Sequence, residues 1–331
     1  MNFEELDWAV LDRLRRTFIG ESFGRAPYWQ GPRDLSQYDA TFGERIGWKW
    51  DAVVDELRRR SWRPPAGADT LVDWGCGSGV AGRRVADAFP GFSRAIVSDH
   101  SPAAMAYAAD RLRASHPGLA AEPVSPANLA SLTGRFVLVA SHVWNELPGD
   151  ARAGLLAVAT KAEVILWVEP GTQALGRELQ SLRRRFLDTH DVVAPCTHQA
   201  ACGLLAAGRE GDWCHHFASP PPGIFADGGW KRFADRAGID LRSLPYAFLV
   251  LQRRAPGAGP RPDNGWERVL GRPRVFKPEA RLHSCGASGV AEVVVPKRTL
   301  PDLYKACKRE ELPALIRWHR EGDAIASAET E

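Results

Sequence analysis

A glycine-rich loop carries the clearest chemical signal in the sequence. It reads Asp73-Trp74-Gly75-Cys76-Gly77-Ser78-Gly79 and stands between a short apolar run and a helix-compatible segment. Glycines at alternate positions let the backbone turn tightly and approach a ligand closely, and a carboxylate at a strand end can meet an ammonium group. The loop therefore predicts a ligand site at the carboxyl end of a sheet.

A second carboxylate, Asp99, ends the next apolar run about twenty residues later. There it can accept hydrogen bonds from both hydroxyl groups of a ribose. The D-x-G-x-G-x-G pattern followed by this acid resembles the class I methyltransferase signature, which implies S-adenosylmethionine. A dinucleotide fingerprint needs glycine at position 80, where Val80 stands. The residues that we expect to contact the cofactor are Asp73, Gly75, Gly77, Ser78, Asp99, His100 and Ser141.

The residues that would carry out methyl transfer are harder to identify. The acid that often meets the adenine after the third strand is missing, and Asn128 is its nearest substitute. After the fourth strand, residues 141–148 lack the Asn/Asp-Pro-Pro-aromatic pattern of amino-methylating enzymes. His142 or Glu146 could act as a base, but both fit a surface or capping role better. The catalytic residues therefore stay unassigned.

Three cysteines, Cys196, Cys202 and Cys214, fall within nineteen positions of a segment rich in Gly, Pro and His. The segment has too few apolar residues to order itself, and a bound metal can contribute ~10–16 kcal/mol of folding free energy. Cys285 is the best fourth ligand because it sits in a strand-to-turn context, whereas Cys307 fits helix packing. We therefore expect a metal at Cys196, Cys202, Cys214 and Cys285.

The identity of that metal is open from spacing alone. Zinc would accept the four cysteines, and His198, His215 or His216 could replace one of them. An iron–sulfur cluster is equally compatible with four widely spaced thiolates. A third interpretation compares Pro195-Cys196 with the nucleophile of cytosine-C5 methyltransferases, but the neighbouring cysteines argue against it.

Short apolar runs that alternate with helical stretches must position these residues, and this alternation predicts a parallel sheet flanked by helices. Strands are predicted at 71–74, 95–98, 136–140 and 164–168, and helices at 79–88, 102–113 and 151–160. A helix from about 172 to 186, another near 229–237, and strands at 241–244 and 248–252 would complete the sheet. Residues 191–228 have no helical or strand period, which indicates an insertion.

The predicted fold class is α/β, a class I methyltransferase (Rossmann-like) doubly wound sheet with three attachments. These are a helical N-terminal lead-in, a cysteine-rich insertion and a small β-rich C-terminal appendage. The domains are 1–65, helical; 66–254, the S-adenosylmethionine-binding domain with the insertion at 190–228; and 265–331, basic and β-rich. The last domain has strand-like pieces at 274–276, 280–283 and 291–295 and a final helix from about Leu303.

The composition is that of a globular protein, with 44% hydrophobic and 25% charged residues. No apolar run approaches the ~20 residues needed to cross a bilayer, and the first twenty residues mix acids with arginines. We therefore expect no membrane association, a cytoplasmic location, and six cysteines that serve as ligands or core residues rather than in disulfides.

The basic residues are concentrated in the last third of the chain. Residues 229–320 carry 19 Lys and Arg against 9 Asp and Glu, although the whole chain has a net charge of only +3. Lys and Arg supply most of the sequence-independent affinity for nucleic acid by neutralising phosphates. The asymmetry favours a polyanionic partner, and a merely solvated basic surface is the alternative.

The motifs together resemble the methyltransferase-like assembly factors of the mitochondrial small ribosomal subunit and their bacterial relatives. The resemblance covers roughly residues 70–310 and rests on the segments 73–79, 168–172, 194–198, 212–215, 285, 296–298 and 304–305. It departs at Thr197, where a proline is common, and near Glu311-Leu312, where an aromatic-glycine pattern is usual.

This resemblance implies a 4Fe-4S cluster held by Cys196, Cys202, Cys214 and Cys285, and association with small-subunit ribosomal RNA or the small ribosomal subunit. The expected function is that of an rRNA methyltransferase or an assembly factor that binds S-adenosylmethionine. Two alternatives remain open: a non-catalytic RNA-binding module, and a small-molecule methyltransferase with structural zinc.

Overall fold

The computed structural model describes residues 6–19, 29–321 and 324–331. By its contacts the chain divides into two compact units. The first unit comprises Met1–Glu169 and Phe217–Tyr246, and the second comprises Pro170–His216 and Ala247–Glu331.

The helices and strands alternate through most of the chain. The helices are α1 (Trp8–Ile19), α2 (Pro32–Tyr38), α3 (Glu44–Arg59), α4 (Val80–Ala88), α5 (Pro102–Ser115), α6 (Pro126–Leu129), α7 (Gly149–Ala159), α8 (Gln173–Phe186), α9 (Gly228–Ala237) and α10 (Pro301–Arg309). The strands are β1 (Thr70–Trp74), β2 (Arg94–Ser98), β3 (Ala120–Pro123), β4 (Phe136–Ser141), β5 (Val164–Pro170), β6 (His190–Ala194), β7 (His216–Ala218), β8 (Leu244–Arg253), β9 (Glu267–Val275), β10 (Glu279–Gly286), β11 (Gly289–Pro296), β12 (Leu315–Glu321) and β13 (Ala324–Thr330).

The larger sheet has the strand order β3-β2-β1-β4-β5-β8-β6, and β7 also pairs with β8. The β1–β2, β2–β3, β1–β4 and β4–β5 pairs are parallel, whereas β6 and β8 are antiparallel. The order reverses between β1 and β4, which is the switch point where doubly wound folds bind ligands. The predicted class I methyltransferase fold is confirmed.

The register of the central strands brings their carboxyl ends to one level. Trp74 of β1 pairs with Ser98 of β2 and with Ala140 of β4. The loops after these three strands therefore leave the sheet at the same edge. The side chains of β4 and β5 are buried almost throughout, as expected of strands covered on both faces.

The lead-in is helical and the C-terminal region is β-rich, as predicted. Helices α1, α2 and α3 precede β1, with a π-helical segment at Asp39–Gly43. In the second unit, β11-β10-β9-β12-β13 form a separate antiparallel sheet. Its core includes Cys307 and Tyr304 of α10, so Cys307 is a packing residue as expected.

Three predictions about elements were wrong. Residues 191–228 are not irregular throughout, because β6 pairs with β8 and β7 lies at the other end of the segment. Residues 241–252 do not form two strands; β8 is continuous, since Pro245 stands near its start, where the missing N–H is tolerated. The chain does not end in a helix, because β12 and β13 follow α10.

No helix within the described residues is long and apolar enough to span a membrane.

Candidate functional site

The glycine-rich loop lies in the first unit, between β1 and α4. Gly75, Gly77 and Gly79 have φ angles of 69°, 50° and 76°, a region that disfavours residues with a side chain. A Cβ at Gly75 would stand 2.5 Å from Val143, and one at Gly79 would stand 2.8 Å from Ala108. A Cβ at Gly77 would have its nearest neighbour 4.0 Å away. Two of the glycines are therefore required by packing, whereas Gly77 faces open space that a ligand can use.

Asp99 holds the open part of this loop. Its side chain is 6% exposed, and its Oδ2 accepts a hydrogen bond from the backbone N–H of Gly77 at 3.0 Å. Its Oδ1 accepts from the N–H of Ser101 at 2.9 Å and lies 3.1 Å from Nδ1 of His100. The hydrogen bond to Asp99 raises the pKa of His100 above its ordinary value. The structure thus brings three of the predicted cofactor residues together.

Asp73 is buried beneath the loop. Its Oδ2 accepts from the N–H of Gly82 at 3.1 Å in the first turn of α4, while its Oδ1 is buried without a hydrogen-bond partner. Burial raises the pKa of Asp73 to about 7. The hydroxyl of Ser78 is also buried without a partner. Unsatisfied buried polar atoms cost stability, and both of these belong to the glycine-rich loop.

Ser141, at the end of β4, belongs to a chain of polar contacts. Its hydroxyl accepts from Nε1 of Trp50 at 2.9 Å and lies 3.3 Å from Nδ1 of His142. The other ring nitrogen of His142 lies 3.1 Å from Nζ of Lys49. Burial lowers the pKa of Lys49 to about 7 and holds the pKa of His142 well below its ordinary value. His142, one of the two bases considered from the sequence, is therefore paired with Lys49. Lys49 belongs to no motif recognised in the sequence.

Glu169 anchors the loop that carries these residues. Its Oε1 accepts from the backbone N–H groups of Val143 and Trp144, at 3.2 and 3.0 Å, and from Nε1 of Trp167 at 2.8 Å. Its Oε2 is buried without a partner, and burial raises the pKa of Glu169 to about 7. Sequence reasoning did not assign Glu169 to the site. The available signal was its position as a carboxylate at the end of an apolar run, like Asp73.

Three further sequence candidates of the first unit differ in their surroundings. Asn128 is an exposed residue of the short helix α6, and Glu146 ends a single 3₁₀ turn, Trp144–Glu146. Cys76 is buried within the loop, and this burial raises the pKa of its thiol well above the ordinary value. Cys76 is therefore a poor nucleophile, which agrees with the expected packing role.

The four predicted ligand cysteines all lie in the second unit. Cys196 follows β6, Cys202 immediately precedes the 3₁₀ turn Gly203–Leu205, Cys214 precedes β7, and Cys285 lies on β10. Cys202 and Cys214 pack against an apolar cluster that includes Cys285. All six cysteines of the chain are described, and none is in a disulfide. The fold therefore brings together four free cysteines that lie up to about ninety positions apart in the sequence.

The four thiols also influence one another electrostatically. Burial, followed by the charge of Cys196 and then Cys202, raises the pKa of Cys285 to about 12. Burial and the charge of Cys196 likewise raise the pKa of Cys202, and raise that of Cys214 well above its ordinary value. Several thiolates at this place would repel one another unless a cation neutralised them.

Two histidines stand against two of these sulfur atoms. Nε2 of His216 lies 3.5 Å from Sγ of Cys214, and Nε2 of His198 lies 3.9 Å from Sγ of Cys285. The side chains of His198 and His216 are only 2% and 8% exposed. Burial, followed by the charge of Arg183, lowers the pKa of His198. Of the three histidines considered as ligands, His198 and His216 therefore approach thiols.

Two buried arginines support the same segment. Arg183 of α8 donates from Nη2 to the carbonyl oxygens of His198 and Ala200, at 3.0 and 2.8 Å. Arg268 of β9 places Nη2 3.4 Å from Nδ1 of His216. Their exposures are 2% and 4%. Neither arginine belongs to a sequence motif, so their presence beside the thiols is a result of the tertiary structure.

The third histidine of the segment has a different role. The ring of His215 stacks on Trp213 at 4.6 Å, and its Nδ1 lies 3.2 Å from the carbonyl oxygen of Trp213. Trp213 in turn donates from Nε1 to the carbonyl oxygen of Gly171 at 3.0 Å. These contacts fix the backbone just before Cys214.

The thiols do not form a ready site for a single ion. Across residues 6–19, 29–321 and 324–331, no group of three or more His, Cys, Asp or Glu side chains could hold a metal ion as it is placed. The four thiols are neighbours, but they do not enclose one point at ligand distance.

Residues 49–313 match the family model described as mitochondrial small ribosomal subunit Rsm22. Among curated proteins none matches the sequence. A magnesium protoporphyrin IX methyltransferase from Synechocystis, solved with bound S-adenosylmethionine, is 15% identical, covers 75% of this chain and 98% of its own, and has a TM-score of 0.39. A methyltransferase from Geobacter sulfurreducens, solved with S-adenosylhomocysteine, is 15% identical, covers 62% and 90%, and has a TM-score of 0.36.

Proposed function

The chain belongs to the mitochondrial small ribosomal subunit Rsm22 family, and on that premise we propose that it binds S-adenosylmethionine and acts on the small ribosomal subunit. One observation carries the cofactor proposal: the open side of Gly77 lies beside Asp99 at the switch point of the sheet. Asp99 would hold the ribose, and the buried carboxyl of Asp73 would lie beneath the loop that holds the amino acid part. S-adenosylmethionine supplies an electrophilic methyl group on its sulfonium sulfur.

The chain's own groups at this edge suit proton transfer during methylation of an N–H or O–H acceptor. Neutral His142 lies beside Lys49, whose pKa of about 7 leaves much of its amine unprotonated at neutral pH. Such an amine can accept a proton if the acceptor reaches it. An assembly factor that binds the cofactor without methyl transfer would use the same loop and would not need Lys49.

Calorimetric titration with S-adenosylmethionine tests the cofactor proposal. Asp99→Asn should weaken binding at least tenfold, because a hydrogen bond to a charged group contributes about 1.5–3 kcal/mol. Asp110→Asn, whose carboxylate pairs with the exposed Arg113, is the matched control. Wild-type protein that binds no S-adenosylmethionine would contradict the proposal. Transfer of labelled methyl to small-subunit RNA, lost in Lys49→Met, would separate an enzyme from a non-catalytic factor.

We also propose that Cys196, Cys202, Cys214 and Cys285 hold a 4Fe-4S cluster, which would supply a compact anionic centre that ties the segment before β7 to β10. Two features support it: the four thiols are neighbours in the second unit, and two buried arginines lie beside them. Zinc is the alternative occupant, because four thiolates also suit a tetrahedral zinc site.

The cluster is tested on anaerobically purified protein by absorption spectroscopy with iron, sulfide and zinc analysis. Matched iron and sulfide, lost in Cys285→Ser and retained in Cys307→Ser, would support the four ligands. Cys307 is a suitable control because it is a buried cysteine in the core of the same sheet. One zinc per chain without iron would instead favour a zinc site.

RNA binding is the third part of the proposal, and it is supported by a group of residues that we call the basic surface: Phe276, Lys277, Lys297 and Arg298. All four are exposed, and Phe276 is 49% exposed. The N–H of Lys297 donates to the carbonyl of Pro278, which keeps the two segments adjacent. Among the described residues, none of the three cations has a carboxylate within ion-pair distance. Lys and Arg beside an exposed aromatic ring suit phosphates and an unstacked base.

A further inference from the structure

We propose that His198 and His216 donate N–H···S hydrogen bonds to Cys285 and Cys214, and that Arg183 and Arg268 position these donors and balance the negative charge of the site. This inference rests on the proposed four-cysteine cluster. It assigns a role to four residues that are not among the four proposed ligands.

The contact with Arg268 determines which nitrogen of His216 carries the proton. A guanidinium group can only donate hydrogen bonds, so Nδ1 of His216, 3.4 Å from Nη2 of Arg268, must be the acceptor. A neutral imidazole has one N–H, which then stands on Nε2. That atom lies 3.5 Å from Sγ of Cys214, a distance suited to an N–H···S bond. Arg268 therefore makes His216 a donor toward the thiolate.

His198 has the same relation to Cys285 through a different support. Its Nδ1 is buried without a hydrogen-bond partner, whereas its Nε2 lies 3.9 Å from Sγ of Cys285. A proton on Nε2 would point this donor toward the sulfur of Cys285. Arg183 holds the backbone of His198 in place through its carbonyl oxygen. Both rings thus present the same atom, Nε2, to a sulfur.

Charge balance points to the same arrangement. Arg183 is 2% exposed, its Nε and Nη1 have no hydrogen-bond partner, and no carboxylate in the described part of the chain pairs with it. A buried cation without compensation is strongly unfavourable. Four thiolates that carry a cluster leave a net negative charge beside this guanidinium. The anionic centre would provide the compensation that the polypeptide itself does not provide.

Hydrogen bonds to ligand sulfurs and nearby positive charge both favour the reduced, more negative state of a cluster. His216→Phe keeps a ring in the cavity but removes the donor, so reduction should become harder. We expect about a tenfold change in the reduction equilibrium, which corresponds to 59 mV for one electron. His216→Gln should restore most of the change, because its amide can place an N–H near the position of Nε2. His319→Phe, an exposed histidine of β12 that pairs with Glu329, is the control.

The experiment uses the full chain, purified or reconstituted without oxygen. Iron and sulfide content is measured first, and the cluster is then titrated with dithionite and followed by electron paramagnetic resonance. A fully loaded His216→Phe variant with a lower potential, an unchanged potential in His319→Phe, and recovery in His216→Gln are the expected results. Arg183→Met, which keeps the packing volume but removes the charge, should lower the potential as well.

Two results would overturn the inference alone. An unchanged potential in loaded His216→Phe and Arg183→Met would show that these residues do not act on the cluster. Loss of iron from both His216→Phe and His216→Gln, to the degree seen in Cys214→Ser, would make His216 a ligand rather than a donor. Wild-type protein without iron and sulfide would instead contradict the proposed cluster, and the inference with it.

Discussion

Buried ionisable side chains define the candidate cofactor site at the scale of single residues. Asp73 and Glu169 each leave one carboxyl oxygen buried without a partner, and the pKa of each is raised to about 7. Residues held this way cost stability, and they are concentrated at sites where function requires them. Their energetic signature should therefore appear in the pH dependence of unfolding.

For Glu169, the pKa rises from an ordinary 4.5 in the unfolded chain to about 7 in the folded protein, chiefly because of burial. Between these pH values the unfolded chain ionises first, so the free energy of unfolding falls as the pH rises. Glu169→Gln cannot ionise, and its free energy of unfolding relative to wild type should increase by about 2–3 kcal/mol from pH 4.5 to pH 7. Urea denaturation at stepped pH measures this difference. The control Glu122→Gln, on the edge strand β3, should show the same pH dependence of the free energy of unfolding as wild type. The same pH dependence in Glu169→Gln as in wild type would contradict the prediction.

The glycines of the loop should separate packing from ligand binding. Gly77→Ala adds a Cβ in open space, so it should cost only the ~1–2 kcal/mol of the left-handed backbone. Gly75→Ala also forces a Cβ to within 2.5 Å of Val143 and should cost about 3 kcal/mol or more. Gly77→Ala should nevertheless reduce S-adenosylmethionine affinity at least tenfold. Chemical denaturation measures the loss of unfolding free energy, and calorimetry measures the loss of S-adenosylmethionine affinity. Equal losses of stability in the two variants, with unchanged binding in Gly77→Ala, would show that the two glycines do not have these separate roles.

At the scale of elements, α8 organises the second unit's cysteine segment. Its Gly176 lies against Trp213 and the carbonyl oxygen of Cys214, where a Cβ would stand at 2.7 and 2.9 Å. Its Arg177 donates from Nη1 to the carbonyl oxygens of Leu204 and Asp212, at 3.2 and 2.9 Å. One face of a single helix therefore holds the backbone on both sides of the loop between the second and third cysteines.

Gly176→Ala should destabilise the protein by about 1–3 kcal/mol, because the backbone of the cysteine segment must move to admit the methyl group. Gly154→Ala is the matched control in helix α7, since a Cβ there meets nothing within 4 Å. That control should stabilise the protein by about 0.5–1 kcal/mol through the higher helix propensity of alanine. Thermal and urea unfolding compare the two variants. Opposite signs are expected, and a stabilising Gly176→Ala would show that α8 does not hold the segment tightly.

At the scale of the whole molecule, the uneven charge sets the expected mode of RNA binding. The net charge is only +3, so affinity for a polyanion depends on the local excess of Lys and Arg in residues 229–320. Affinity of this kind decreases steeply with salt because bound counterions are released from the phosphates.

Removing the three cations of the basic surface together, with Lys277→Ala, Lys297→Ala and Arg298→Ala, should lower the slope of log affinity against log salt by about 2–3. Phe276→Ala should weaken binding by about 1–3 kcal/mol without changing this slope, since stacking releases no counterions. Fluorescence anisotropy with a small-subunit RNA fragment at several salt concentrations measures both. Arg242→Ala, whose guanidinium pairs with Asp240, is the control. Identical slopes for wild type and the triple variant would exclude this surface as a phosphate contact.

The sequence alone was sufficient for features that depend on local pattern. Apolar runs and glycine spacing identified the parallel sheet, the loop at 73–79 and the acid at Asp99, because the backbone requirements of a strand end and a tight turn are local. The cysteines were predicted as one set from residue chemistry and a family resemblance, and the fold places them together in the second unit.

Only the tertiary structure showed the charges that surround these groups. Lys49 reaches His142 from a helix, and Arg183 and Arg268 reach His198 and His216 from α8 and β9, without any motif in the sequence. The strands β12 and β13 were also missed. The buried charges and the missed strands share one physical reason. A buried charge, or a strand at the end of a sheet, is stabilised by partners that are distant in sequence, and the periodicity of hydrophobic residues does not encode those partners.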